Sequence, residues 1–450
     1  MNTIKNIAAA AGTICAGGLF LINSAWAGIP IQHWTQPSGA QVYLVPSPAI
    51  PMLDVQIDFD AGSRRDPAAQ AGLAELTAGM ASEGVRSVGS APALDENVLG
   101  EAWADLGASL DSSASSDRFS FSLRSLTYPD LLEKATALAA RQIGEPAFSD
   151  SLWQRERQRV AAQLKESATR PATVAGRAFA AAVYGTHPYG FELTADTLAR
   201  INASDMRAFY ARSILPCRAT VSLVGAVDRA QADALVTRLL ARLPATACTP
   251  LTPLPAVADV QPLTRSSEQH IPFDAAQAQV LIGQPGYPRS DPAFFALLVG
   301  NHILGGGGFG SRLTAEVREK RGLSYSVYSS FAPALHAGAF TIGLQTRPDQ
   351  AKQAIQVAKD VLARFVADGP TATELQAAKD NLEGGFALRI DSNRKLLGNV
   401  ANIAWNHLPL DYLDHWTAQI ERVTQADIQA AFARILQPEK MATVVVGETP

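Results

Sequence analysis

Two stretches of the chain, residues 201–225 and residues 423–447, decide its fold because they repeat each other without a gap. The first reads INASDMRAFYARSILPCRATVSLVG and the second reads VTQADIQAAFARILQPEKMATVVVG. Each pattern predicts a helix with an aspartate in its first turn, then a proline that ends the helix, then an apolar strand that ends at glycine. The aligned pairs are Asp205 and Asp427, Tyr210 and Phe432, Arg212 and Arg434, Pro216 and Pro438, and Gly225 and Gly447. A repeat at this long period indicates that the chain consists of two similar halves.

Earlier elements repeat in the same order and extend the duplication over the chain. A predicted helix at residues 152–166, which follows a proline, corresponds to one at residues 373–388. The predicted strands are residues 42–45, 53–60, 118–126, 279–283, 324–331 and 339–346. Grouped strands with helices against one face define an α+β fold. We therefore expect two homologous α+β domains, residues 28–243 and 266–450, joined by a proline-rich linker at residues 244–265.

Length and composition exclude several classes of protein. The chain has 450 residues, enough for two or three domains with cores of their own. Charged residues make up 18% of it, the net charge is -4, and no long run of one sign occurs. Nucleic-acid binding and a polybasic membrane patch both need a concentration of positive charge that is missing here. The composition predicts a globular, weakly acidic protein.

The first residues predict the compartment. Lys5 gives a positive start, residues 7–22 form a short apolar stretch, and residues 25–27 read Ala-Trp-Ala, a small-x-small cleavage pattern. We therefore predict a signal peptide at residues 1–27 and a mature periplasmic chain that is free of the membrane. The alternative is an N-terminal membrane anchor, for which the apolar stretch falls short of the roughly 20 residues that a span needs.

The mature chain keeps two cysteines, Cys217 and Cys248. In an oxidising compartment an even pair is more often bridged than free, which favours a disulfide. Two unrelated buried thiols are the alternative. Their separation in sequence excludes a CxxC pair of metal ligands.

No self-sufficient catalytic pattern is present. The chain lacks the Gly-x-Ser-x-Gly motif of an acyl-enzyme, and none of its seven histidines lies three or four residues from another. The glycine-rich residues 305–310 lack the Lys-Ser/Thr ending of a phosphate loop. They indicate a plain connection before a helix, with a hinge or a close approach of substrate or partner backbone as the alternative. Phe309 and Phe331 are interpreted as core aromatics, with a chamber-lining position as the alternative.

Residues 311–329, SRLTAEVREKRGLSYSVYS, closely resemble the C-terminal signature of the M16 peptidases, the pitrilysin-like or inverzincin family. The resemblance extends along nearly the whole mature chain and includes Gly-Ser-Arg at 62–64, Gly-Leu-Ala at 72–74 and Thr-His-Pro-Tyr-Gly at 186–190. It implies a duplicated pair of α+β rolls that forms half of a clamshell.

The family's zinc motif is degenerate in this sequence. In active members, the helix after Gly-Leu-Ala carries His-x-x-Glu-His, and a glutamate on a later helix completes the zinc site. Here the matching positions are Glu75, Ala78 and Gly79, and the later ligand position is Gln163. Both imidazoles and the general base are missing, which excludes zinc-dependent hydrolysis by this half-site. We therefore expect no metal or cofactor in this chain.

A second family feature is retained. In related peptidases an arginine and a tyrosine seven residues apart reach the substrate from the C-terminal half, and Arg318 and Tyr325 match that spacing. Guanidinium and hydroxyl groups can donate hydrogen bonds to a peptide carbonyl or to the oxyanion formed from it. From the residues alone, a solvated helix face and strand packing remain open for the pair.

The resemblance implies a subunit of the M16B type that is inactive alone. Its partners would be a zinc-binding subunit with His-x-x-Glu-His, which completes a heterodimeric metallopeptidase, and a peptide substrate. Zinc would be held by the partner subunit. The alternatives are a catalytically inactive peptide-binding or scaffold protein and, less favoured, an independent hydrolase with an unrecognised site.

Overall fold

A computed structural model describes residues 28–245, 248 and 251–447, and the predicted signal peptide, residues 1–27, lies outside them. The strands are β1 Gln32–Thr35, β2 Gln41–Pro46, β3 Met52–Phe59, β4 Gly84–Val85, β5 Leu94–Asp95, β6 Ser109–Ala114, β7 Phe119–Leu126, β8 Thr220–Gly225, β9 Ser267–Ile271, β10 Ala278–Pro285, β11 Val327–Phe331, β12 Ala339–Thr346 and β13 Ala442–Val446. The α-helices are α1 Leu73–Ala81, α2 Glu96–Asp105, α3 Pro129–Gly144, α4 Asp150–Ser167, α5 Pro171–Tyr184, α6 Ala195–Arg200, α7 Ala203–Ser213, α8 Arg229–Leu240, α9 Phe294–Asn301, α10 Ala351–Asp368, α11 Ala372–Gly384, α12 Asn393–Trp405, α13 Tyr412–Arg422 and α14 Gln425–Ile435. None of these described helices is both long and apolar enough to cross a membrane.

The sheets of the two halves share a five-stranded topology, and the first sheet has β1 as an additional edge strand. In the described residues, the first half forms a six-stranded sheet in the order β1, β2, β8, β3, β7, β6. The second half forms a five-stranded sheet in the order β11, β12, β10, β13, β9. The repeated strands β8 and β13 hold the same place, each between a parallel neighbour and a central antiparallel one. The predicted pair of homologous α+β domains is confirmed.

The aligned aspartates of the repeat cap their helices. The side chain of Asp205 accepts from the backbone N–H of Asn202 at 3.0 Å, while Asn202 accepts from the backbone N–H of Asp205 at 3.1 Å. Asp427 and Thr424 make the same reciprocal pair at the start of α14, at 2.9 and 3.1 Å. Such boxes satisfy N–H groups that the first turn of a helix leaves free, and this explains why the motif recurs in both halves.

Each half lends a helix to the other half's sheet. α5, from the first half, packs on the second sheet, and α12, from the second half, packs on the first sheet. The first contact buries Ala175, Phe179 and Val183 of α5 with Ala339, Ala442, Val444 and Val446. The second buries Leu397, Val400, Ile403 and Ala404 of α12 with Tyr43, Val45 and Val224. The linker therefore separates the halves in sequence, while these two helices join them into one packed unit.

The described part of the predicted linker has little regular structure, since residues 252–266 form neither helix nor strand. Cys217 and Cys248 are joined by a disulfide, which settles in this structure the pairing that the sequence left open. Cys217 lies just before β8, so the bridge fastens the start of the linker to the first sheet.

A polar seam adds to the contact between the halves. The Nε2 atom of His187 lies 2.9 Å from the linker carbonyl of Ala258, and its Nδ1 accepts from the backbone N–H of Tyr189 at 3.1 Å. The hydroxyl of Tyr189 donates to Asp117 at 2.7 Å and accepts from the backbone N–H of His336, in the second half, at 3.1 Å. A neutral imidazole satisfies both of its contacts when Nε2 carries the proton. Burial lowers the pKa of His187, in keeping with that neutral form.

Candidate functional site

All four positions of the degenerate zinc motif line one cavity. It has a volume of about 550 Å³ and lies between α1, which carries Glu75, Ala78 and Gly79, and α4, which carries Gln163. We call it the α1–α4 cavity. The four positions that the sequence singled out therefore lie together around one cavity, although α1 and α4 are about 80 positions apart in the chain.

The start of α1 is fixed by Asp66. This buried carboxyl accepts from the backbone N–H groups of Gly72 at 2.9 Å and Ala74 at 3.0 Å. Gly72 has a φ of 97°, a left-handed conformation that glycine adopts without strain. Burial raises the pKa of the Asp66 carboxyl to about 7, while the N–H bonds from the helix start act in the opposite direction. The start of the helix that carries the zinc motif in active members is thus held by buried hydrogen bonds, although the motif is missing here.

The α1–α4 cavity is also lined by polar side chains of α4 and by an aromatic side chain, Trp153. Glu156 of α4 lines the cavity and accepts from Nε of Arg159, one turn along the helix, at 2.7 Å. Residues 112–114 of the edge strand β6 form a third wall. Trp153 is buried beneath, and its indole N–H has no hydrogen-bond partner among the described residues.

These residues do not fit a zinc ion. Zinc sites in proteins are built from imidazole, thiolate and carboxylate donors. The four motif positions offer one carboxylate at Glu75, a methyl group at Ala78, a hydrogen at Gly79 and an amide at Gln163. A Cβ built on Gly79 would meet nothing within 4 Å, so a larger side chain has room there. The position lacks a zinc ligand because glycine has no donor atom, and not because a ligand would clash. Over the described ranges, no group of three His, Cys, Asp or Glu side chains could hold a metal.

The structure brings Arg318 and Tyr325 into contact. Arg318 lies on a π-helix, Thr314–Glu319, and its Cζ lies 4.6 Å from the centre of the Tyr325 ring. Tyr325 precedes β11 and its side chain is 79% exposed, so it is not packed in the sheet. The strand-packing alternative is therefore wrong for Tyr325. Its hydroxyl and the adjacent guanidinium together offer several donors on one surface.

Arg318 has no carboxylate partner among the described residues, and Glu316, two residues before it, is already paired with other side chains. Glu316 accepts from Lys320 at 2.6 Å and pairs with Arg321 at 2.6 Å. Hydrogen bonds from Lys320 and Arg321 lower the pKa of the Glu316 carboxyl. No carboxylate of the described residues therefore pairs with the positive charge of Arg318. A guanidinium held in this way is suited to bind a carbonyl oxygen or an anion.

A third side chain, Phe309, belongs to the same group. The Arg318 Cζ lies 4.7 Å from the centre of its ring, and the Phe309 side chain is 71% exposed. We call Phe309, Arg318 and Tyr325 the Arg318 cluster. The interpretation of Phe309 as a core residue is wrong, whereas Phe331 does pack among aromatic rings, 4.7 Å from Phe340. The available signal was the pair of glycines at 308 and 310, because neither neighbour of Phe309 in sequence has a side chain that could pack beside its ring.

Family models cover most of the chain. The model of the insulinase family, peptidase family M16, matches residues 42–197, and the model described as the peptidase M16 inactive domain matches residues 200–382. An uncharacterised zinc protease from Mycobacterium leprae is 28% identical over 423 residues, which cover 91% of this chain and 90% of that protein.

Solved structures agree with these matches. The crystal structure of a peptidase M16 inactive domain from Pseudomonas fluorescens is 33% identical with a TM-score of 0.86, and the match covers 93% of this chain and 98% of that one. The periplasmic protease PqqL from Escherichia coli shares the fold at 20% identity with a TM-score of 0.77, and the match covers 93% of this chain but 45% of that one. The chain belongs to the M16 peptidase family. Its two domains correspond in fold to one half of the family's clamshell.

Proposed function

We propose that this chain is the zinc-free subunit of a two-subunit periplasmic zinc peptidase. In this proposal it presents Arg318 and Tyr325 to a peptide bound at the His-x-x-Glu-His site of a homologous partner. The observation that carries the proposal is that the guanidinium of Arg318 pairs with no carboxylate of the described residues and lies beside an exposed tyrosine. The periplasmic location rests on the N-terminal cleavage pattern.

The chemistry divides between the two subunits. The partner's zinc and glutamate would activate the attacking water, as in other zinc hydrolases. This chain's contribution is to bind the peptide and to stabilise the charge that develops on the carbonyl oxygen. Arg318 donates N–H groups toward that oxygen, and the Tyr325 hydroxyl donates a second hydrogen bond. The loss of one such donor typically lowers kcat by about 10²–10³-fold.

The fold favours pairing with a chain of the same kind. A similar chain facing this one would give four rolls around a chamber, with its first half opposite the second half of this chain. The α1–α4 cavity of this chain does not offer a zinc ligand set, so in this proposal the zinc is held by the opposite subunit.

The experiment purifies the tagged mature chain from its native periplasm together with whatever binds it, and it measures peptide cleavage with and without a chelator. We expect a copurifying homologue with His-x-x-Glu-His and chelator-sensitive cleavage. Arg318→Ala should lower kcat by about 10²–10³-fold without dissociating the pair. Arg321→Ala is the matched control, because Arg321 follows on the same segment but is paired with Glu316. It should retain activity within about threefold.

Tyr325→Phe removes only a hydroxyl, and Tyr328→Phe, on the neighbouring strand, is its control. Full activity in both Arg318→Ala and Tyr325→Phe would refute the proposed roles. Peptide binding by the chain without any zinc-binding homologue would favour a peptide-holding or scaffold protein instead. Cleavage by the isolated, metal-free chain would establish an independent hydrolase.

A further inference from the structure

We infer that Phe309 is a positioning residue for Arg318, which orients the guanidinium toward the peptide without touching the reacting atoms. The inference rests on the proposed function of Arg318 and extends it to a residue outside the Arg/Tyr spacing. It assigns a role to the glycine-rich residues 305–310, which carry this side chain and which we call the glycine-rich loop. They run from the end of a π-helix, His302–Gly306, through a 3-10 turn, Gly308–Gly310.

The first support is the exposure of Phe309. A phenylalanine that is 71% exposed gains little from burial in its own fold. A Cβ built on either flanking glycine, Gly308 or Gly310, would meet nothing within 4 Å, so the backbone on both sides of Phe309 faces open space in the direction of a side chain. The contact that the structure does give the ring is the guanidinium of Arg318 at 4.7 Å.

The second support is the firm base of the loop. A Cβ on Gly305 would lie 2.4 Å from the backbone nitrogen of Ser329 in β11, so the loop begins against the edge strand and only glycine fits there. At the other end, the hydroxyl of Ser311 donates to the carbonyl of Gly308 at 2.8 Å and lies 3.0 Å from the hydroxyl of Thr314. This close approach is made by the chain's own β11, and the predicted approach of a substrate or partner backbone stays a prediction. A ring held on such a base can fix a flexible side chain.

The third support is the way the two rings hold the cation. Arg318 would otherwise have several free torsions, since no carboxylate of the described residues fixes it. Rings at 4.7 and 4.6 Å attract the guanidinium by their faces and leave its N–H groups free to donate elsewhere. A carboxylate partner would fix the same side chain but would occupy those donors. An aromatic contact can thus position an arginine while its N–H groups stay free to bind a substrate.

The activity test compares Phe309→Leu with Phe309→Trp in the assembled pair. Leucine keeps an apolar side chain without a π face, and we expect kcat to fall about 3- to 30-fold with KM changed less than about twofold. Tryptophan restores a π face and should keep kcat within about threefold of the original protein. Tyr128→Leu is the matched control, because Tyr128 is also an exposed aromatic residue but lies at the start of α3 in the first half.

The decisive comparison places Phe309→Leu in the Arg318→Ala background. If Phe309 acts through Arg318, the second substitution has no further effect on kcat. An equal fall in both backgrounds would overturn the positioning role, as would a Phe309→Leu variant with full activity while Arg318→Ala is impaired. If Arg318→Ala itself has full activity, the proposed function of Arg318 fails first, and the two failures are therefore distinguishable.

A measurement on the isolated chain needs no partner. Ring currents from Phe309 and Tyr325 shift the Nε–H resonance of Arg318, which is assigned by its loss in Arg318→Lys. We expect Phe309→Leu to move this resonance toward the position of a free arginine, and Phe309→Trp to keep it displaced. An unmoved resonance in Phe309→Leu would overturn the contact on which the inference depends.

Discussion

The exchange of helices between the halves predicts that one substitution on α5 destabilises the whole chain. Phe179 is 7% exposed and packs against the second sheet, where its Cζ would lie 2.8 Å from a Cβ built on Gly283. Truncation of a buried phenylalanine to alanine costs about 3–5 kcal/mol. The small residual exposure places the cost of Phe179→Ala near the lower end of that range, at about 3 kcal/mol. This raises the unfolding equilibrium constant about 150-fold.

Urea unfolding followed by fluorescence measures the free energy, and hydrogen exchange read separately on β8 and β13 assigns it to each half. We expect Phe179→Ala to shift the midpoint and to raise exchange in both sheets, although the residue belongs to the first half in sequence. The matched control is Phe309→Ala, since the same truncation at a 71% exposed site should change stability by less than about 0.5 kcal/mol. Unfolding in two separate steps, with the second half unaffected by Phe179→Ala, would refute the reasoning.

Further predictions concern the disulfide, the degenerate motif and pH. Cys217→Ser opens a loop with a sequence separation of 31 and should cost roughly 3–4 kcal/mol, so a reductant should lower the Tm of the original protein but not of the variant. The triple variant Glu75→His, Ala78→Glu, Gly79→His should show no chelator-sensitive cleavage in isolation, because the later ligand position still carries an amide; cleavage would contradict this. Because the pKa of His187 is lowered in the folded chain, the unfolded chain takes up the proton first, near pH 6.5. The contribution of His187 to stability should therefore fall as pH drops below about 6.5. The buried Asp66, whose pKa is raised to about 7, changes stability in the opposite direction over the same range, so the test is the difference between the original protein and His187→Gln. An equal dependence of Tm on pH in the two chains would contradict the assignment.

Much of the fold could be predicted from the sequence, because the local signals within each repeat indicate the same order of helix and strand. The aspartate, the proline and the terminal glycine of each repeat mark a helix start, a helix end and a strand end, and the structure uses each in that place. Edge strands were missed: β6 reads SLDSSA and β9 reads SEQHI, and neither has the apolar alternation that a half-buried strand shows. The predicted helix at residues 373–388 ends earlier, since α11 stops at Gly384. The helix exchange is a tertiary contact with no local signature.

The candidate site divides in the same way. Glu75 and Gln163 could be placed together because a known motif supplied the pairing, and composition alone would not have joined two distant helices. Arg318 and Tyr325 were found through their spacing. The sequence does not show that Glu316 pairs with Lys320 and not with Arg318, because that depends on the directions of the side chains. Phe309 was misjudged because burial is the usual state of an aromatic side chain. Only the surroundings of the loop reveal its exposure.

The two sites of this chain differ in what their residues do for the fold, and that difference makes the proposal separable from stability. Asp66 and the polar seam hold α1 and the halves in place, so their loss would disturb structure and activity together. Arg318 forms no ion pair in the described chain, and its contacts are two exposed rings. Its removal leaves no buried charge or hydrogen-bonding group unpaired, and surface changes of this kind alter stability by only about 0.5 kcal/mol. A large loss of turnover in Arg318→Ala at unchanged Tm would therefore report on the reaction, because the described contacts of this side chain contribute little to stability.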